Sequence, residues 1–169
     1  MPFSQAYRPH PPLGEMLFNG ALIGFSGGLA EIAFIWIYMI AEGHPPAAVA
    51  ETVAEALELG SSASAGIAAH MVLSLLLGVG LTSTWISVRG PAPKASAAYL
   101  FITAALIVVW SFNFLVLLPS LSPGFADLLP YPVSFAATLL FALAGAPVLR
   151  HLGGDKPILV RPAAPWTRF

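Results

Sequence analysis

Between residues 17 and 150 the chain alternates long apolar runs with short stretches that hold its charges, prolines and turn residues. Four runs, at about 17 to 41, 64 to 88, 95 to 118 and 132 to 150, are long enough as helices to cross ~30 Å of hydrocarbon at ~1.5 Å per residue. The pattern predicts an all-α integral membrane protein, a four-helix up-and-down bundle spanning 17–150, with tails at 1–16 and 151–169. A different periodicity marks "PAAVAETVAEALEL", residues 46 to 59. There Val49, Val53 and Leu57 share one helical face and Glu51, Glu55 and Glu58 the other, with Pro46 at the start and Gly60 beyond the end. This predicts a short amphipathic helix between the first two spans. Its polar face is acidic, which suits packing on the bundle or meeting a partner better than anchoring to anionic lipid. The segment "PSLSPGFADLLPYP", residues 119 to 132, is bounded by proline and has an apolar centre, so it is expected to cap the bundle or dip into the interface.

Composition agrees with a bilayer setting. Hydrophobic residues make up 57% of the 169 positions and charged residues 9%, with a mean hydropathy of +0.82, far from the balance of a soluble domain. There is no cysteine, which excludes disulfides, thiolate metal sites and cysteine nucleophiles. A net charge of −1 gives no electrostatic support to a nucleic-acid partner. The first apolar run is too long for a signal-peptide core and no basic cluster leads into it, so it reads as a retained span.

The charges also predict an orientation. Arg8, Arg89, Lys94, Arg150, Lys156, Arg161 and Arg168 all fall on one side of a four-span chain, whereas Glu42, Glu51, Glu55, Glu58 and Asp127 fall on the other. By the positive-inside rule the basic side is cytoplasmic, giving N-in/C-in in the cytoplasmic (inner) membrane, with the amphipathic helix outside. The turn "RGPAPK" is short enough to predict that the second and third spans lie side by side. Trp85 and Tyr99 are expected near the inner interface, Tyr38 and Tyr131 near the outer one.

Three polar residues interrupt the spans in one half of the bilayer. On a helix Gly20, Gly24, Gly27, Glu31 and Tyr38 lie within about 40° of one line at ~100° per residue, so Glu31 shares its face with small residues that let another helix approach. Glu31 lies roughly 15 Å from the outer end of its helix, and His70 and Asn113 roughly 8 to 9 Å from theirs. The expectation is an outer-half cluster of Glu31, His70 and Asn113, with Thr138 entering at a similar level. An isolated charged carboxylate at that depth is costly, so Glu31 should be neutral or paired, and His70 is the nearby cationic candidate. Such a cluster suits a proton relay, an ion site or a handle for a small polar ligand such as a quinone head group. The reading it favours over these is an interhelical clamp or a subunit contact, with bonds worth ~0.6 to 2 kcal/mol each.

Other chemistries have weaker signals. His70 could ligate haem, but His10, His44 and His151 lie outside the spans and supply no opposite ligand. His44 beside Glu42 makes a poor metal contact, so no metal or cofactor is expected, with His70 and His44 the weak candidates. "GFSGG", residues 24 to 28, matches the nucleophile pattern G-x-S-x-G. Its GxSG portion resembles the serine motif of rhomboid intramembrane proteases, and "AAH" at 68 to 70 is similar to the Ala-His context of their histidine. The resemblance implies a Ser26 nucleophile with a His70 base. Helical geometry opposes it: Ser26 points about 140° from the Glu31 face and lies ~13 Å deeper than His70, outside hydrogen-bond reach, and rhomboids have more spans than four.

Without a complete catalytic set, the chain reads first as a non-enzymatic accessory or assembly subunit of a larger membrane complex of respiratory, photosynthetic or membrane-oxidase type. Membrane lipid and other integral membrane subunits would be its partners, with the glycine stripe, acidic helix and tails as contact surfaces. The alternative is a small transporter or proton/ion-handling protein that uses Glu31, His70 and Asn113.

Overall fold

A computed structural model describes residues 11–88 and 94–153, and these are helical with no strands among them. The expectations for the extreme termini and for most of the "RGPAPK" turn lie outside the described residues. Four helices are long and apolar enough to cross a membrane. The first, α1 (Leu13–Ala41), starts directly after Pro11 and Pro12, which lack the N–H groups needed to extend it backwards. That is four residues earlier than the hydrophobic pattern suggested, because Glu15 and Asn19 ride on the exposed first turns. It ends where Gly43 takes φ +75 and the His44 amide reaches back to the Met39 carbonyl at 2.8 Å, a left-handed stop that suits glycine.

Helix α2 (Ala48–Ala56) is the expected amphipathic helix, shortened at both ends. Val49 and Ala54 are buried, but Leu57 lies beyond the helix and is exposed. Helix α3 (Ala63–Val88) follows, then α4 (Ala95–Phe112). Pro119 was expected to end the third span. The helix instead widens into a π-helical turn at Asn113–Leu117, continues as α5 (Leu118–Leu121), and spans Ser96–Leu121 in all. A proline inside a helix lacks an N–H and crowds the carbonyl four residues back; the π turn just before Pro119 absorbs that misfit. The short α6 (Phe125–Leu128) then leads into α7 (Tyr131–Gly153).

The helices pack in an order that the connections do not suggest. Helix α3 lies mainly against α1 and α2, and α4 mainly against α7, with α1 and α7 joined between them. The second and third spans, expected to be neighbours, touch little. They meet near their connection, where the Trp85 and Phe101 rings are 5.3 Å apart. Trp85 is buried there, within one turn of the end of α3.

Backbone contact between α1 and α3 explains this order. A Cβ on Gly24 would strike the Ser74 carbonyl and come within 2.6 Å of the Leu75 Cα; one on Gly78 would strike the Gly20 carbonyl. Gly28 faces Ser74 in the same seam, whereas Gly27 faces the Phe141 ring of α7. The predicted stripe of Gly20, Gly24 and Gly27 is thus spent inside the chain, not offered to another subunit.

Two apolar clusters result. One joins Ile23, Leu81, Trp85, Ile102, Phe141, Leu149 and their neighbours. The other lies at the end of the bundle that carries α2, where Met39, Val49, Phe125 and Leu129 pack together, so residues 119 to 132 do cap the bundle.

Candidate functional site

Four polar side chains of the spans, Glu31, His70, Ser74 and Thr138, meet where α1, α3 and α7 come together. Glu31 on α1 sits one turn along from Gly27 and Gly28, so it projects into the angle between α3 and α7. His70 arrives from α3, and its Nε2 is 3.5 Å from Glu31 Oε2. The same Nε2 is 3.4 Å from the hydroxyl of Ser74, one turn along α3, and the Gly28 carbonyl lies beside the ring. From α7, the Thr138 hydroxyl lies beside the Glu31 carboxylate.

These contacts compete for protons in a way that depends on charge. Thr138 donates its hydroxyl proton to the Ser134 carbonyl at 3.1 Å. A neutral Glu31 can donate to the Thr138 oxygen while that bond stands, whereas a charged Glu31 accepts from Thr138 and must draw the proton away. His70 Nε2 has one position for a proton and two oxygens near it, so protonated imidazole serves Glu31 or Ser74, not both. At 3.4 to 3.5 Å both separations are long for direct hydrogen bonds, which leaves each group free to exchange partners by small rotations.

Both side chains of the pair are partly exposed, Glu31 at 15% and His70 at 31%. His70 also lines a small pocket of about 50 Å³ with Ile32, Ile35, Trp36, Val49 and Ile67, between α1, α2 and α3. The acids of α2 lie off this pocket; the helix presents Val49, Ala50 and Val53 to it. His70 is the titratable group that faces Glu31 from α3, and α7 brings only a hydroxyl.

No family model matches the chain, and neither does a curated protein or a solved structure. The site is therefore read from its own chemistry.

The structure brings together Glu31 and His70 of the expected cluster and leaves Asn113 apart. Among the described residues Asn113 makes no side-chain hydrogen bond with either; it opens the π turn on the α4 side, where the packing is to α7 and not to α1. Thr138 and Ser74 take the place assigned to the amide. Ser74 was legible in principle, since a residue four positions after His70 shares its helix face. Ser26 donates to the Ile23 carbonyl at 3.2 Å within its own helix, and no contact joins it to His70 among the described residues. No group of three His, Asp or Glu residues able to hold a metal occurs among the described residues. His44, one of the two weak candidates, is exposed.

Proposed function

We propose that this is a small proton-handling membrane protein, with Glu31 and His70 as its proton-exchanging pair. The observation that carries the reading is the 3.5 Å approach of carboxylate and imidazole from two different helices, partly exposed, in a layer between two apolar clusters. An acid in a membrane span marks a proton or ion pathway by default, and here it has a titratable partner and two hydroxyls. The orientation we assign is N-in/C-in in the cytoplasmic membrane, from the one-sided placement of the seven basic residues. The α2 end then faces away from the cytoplasm.

The test is infrared titration of the full chain in liposomes. A protonated-carboxyl band that follows the external pH and vanishes in Glu31→Gln is expected, with its midpoint displaced in His70→Ala. A carboxyl signal indifferent to pH, or one that persists in Glu31→Gln, would sink the reading.

A second reading, an accessory subunit of a larger membrane complex, is favoured by the third span. Only 11% of its most apolar window is buried, and Leu100, Val108, Phe112 and Leu115 are exposed along it. With the glycine stripe already occupied, α4 is the face such a partner would cover. Native mass analysis after mild solubilisation distinguishes a complex from a monomer, and crosslinks from Val108 would identify the face.

A further inference from the structure

Toward the opposite end of the bundle α3 carries two further polar residues, Thr82 and Trp85. Both are buried, at 0% and 4% exposure, and among the described residues neither the Thr82 hydroxyl nor the Trp85 indole N–H has a hydrogen-bond partner. Threonines in these helices ordinarily return their hydroxyl to the carbonyl four residues back, as Thr84 does to Gly80 at 2.9 Å; Thr82 does not. A buried donor left without a partner is costly, and one explanation of such groups in folded proteins is a site that holds water or an ion. A neutral indole donor beside a hydroxyl suits water.

Between Ser74 and Thr82 lie two helical turns, about 12 Å. Among the described residues no side-chain hydrogen bond joins the two levels. Gly78 is pressed on the backbone of Gly20 and Gly24, which leaves no room for water in the α1–α3 seam at that level. Directly below Glu31, Phe141 lies flat against Gly27; below that, Ile23 packs on Gly145, and both side chains are fully buried or nearly so. Trp85, in contrast, is within one turn of the end of α3 at Val88.

We propose that Thr82 and Trp85 form a second polar station that holds water, and that Ile23 and Phe141 are the dry barrier separating it from Glu31 and His70. A proton crosses the bundle when that barrier parts. The inference rests on the proton-handling reading and extends it from one exchanging pair to a two-station path with a gate. Its balance is simple: each transfer breaks one O–H or N–H bond and forms another, so one proton taken up at Glu31 leaves as one proton at the far end. Thr82 can accept and donate, whereas Trp85 only donates and so positions the water without carrying the proton.

The experiment uses full-length protein in liposomes that enclose a pH-sensitive dye, with proton entry driven by a potassium diffusion potential. Phe141→Leu and, separately, Ile23→Ala should each raise proton flux by about tenfold or more over the unaltered chain, equivalent to lowering the barrier by ~1.4 kcal/mol. Adding Glu31→Gln to either should return flux to the starting level, and adding Thr82→Val should lower it several-fold. Two variants guard against one failing to fold, and helical circular dichroism confirms that each is intact. Flux unchanged in both folded barrier variants overturns the proposal, as does a leak that persists with Glu31→Gln or Thr82→Val. If Glu31 titrates by infrared but the barrier variants do not conduct, the path alone falls; if Glu31 does not titrate, the underlying reading falls as well.

Discussion

The seam between α1 and α3 and the seam between α4 and α7 join helices by opposite means. In the first, Gly20, Gly24 and Gly28 meet Gly78 and Ser74, and backbone lies on backbone. In the second, Trp110 lies 5.1 Å from Phe135 and 6.3 Å from Tyr131, centroid to centroid, and rings hold the helices together. The polar groups follow the same division. The aromatic seam satisfies its own: the Trp110 indole donates to the Ser134 hydroxyl at 3.0 Å, which in turn donates to the Tyr131 carbonyl at 3.0 Å. The glycine seam brings two backbones so close that side chains on its flank, Glu31 and His70, are forced into reach of each other without a complete set of partners. A tight seam of small residues thus does more than pack helices; it concentrates the groups that can exchange protons.

This contrast can be broken by substitution. The largest effect is expected for Gly24→Val, whose branched side chain has to displace the Ser74 carbonyl and the Leu75 backbone. Overpacking of this kind should cost about 3 kcal/mol or more, read by denaturation in mixed detergent followed by circular dichroism. Phe135→Leu in the aromatic seam should cost far less, ~0.5 to 1.5 kcal/mol from the lost edge-on ring pair. Equal losses from these two changes would show that the seams are not different in kind. A double-mutant cycle of Trp110→Phe with Ser134→Ala should return a coupling of ~0.6 kcal/mol, the usual worth of a hydrogen bond between membrane helices. The smallest effect is expected for Leu100→Ala on the open side of α4, where the residue is 71% exposed and stability should move by less than about 0.5 kcal/mol. A larger loss there in the membrane, absent in detergent, would point to a partner on α4.

Much of the molecule was legible before its structure. Span number follows from apolar length because each backbone group in hydrocarbon must be satisfied within its own helix. The meeting of Glu31 and His70 was legible from depth and from the small residues sharing the carboxylate's face.

Asn113 was not legible. Its depth matched that of His70, but depth says nothing about which helix stands next to which. The "RGPAPK" turn suggested that the spans on either side of it would pack together, and a short connection does bring helix ends close. It does not dictate contact along their length, and the glycine seam drew α3 to α1 instead. The π turn at Asn113–Leu117 was likewise hidden, because Pro119 marks a misfit without saying whether the helix stops or absorbs it.

What the amino-acid order determined alone are the quantities that depend on one helix at a time: which segments can cross a membrane, how deep each polar residue lies along its own axis, and which residues share its face. Only the tertiary structure decided which faces meet. It placed Thr138 and not Asn113 beside the carboxylate, spent the glycines inside the chain, and left Thr82 and Trp85 without partners among the described residues. The reason is that helix neighbours are chosen by the summed fit of whole surfaces in a medium as apolar as the side chains themselves, where close packing and hydrogen bonds drive association.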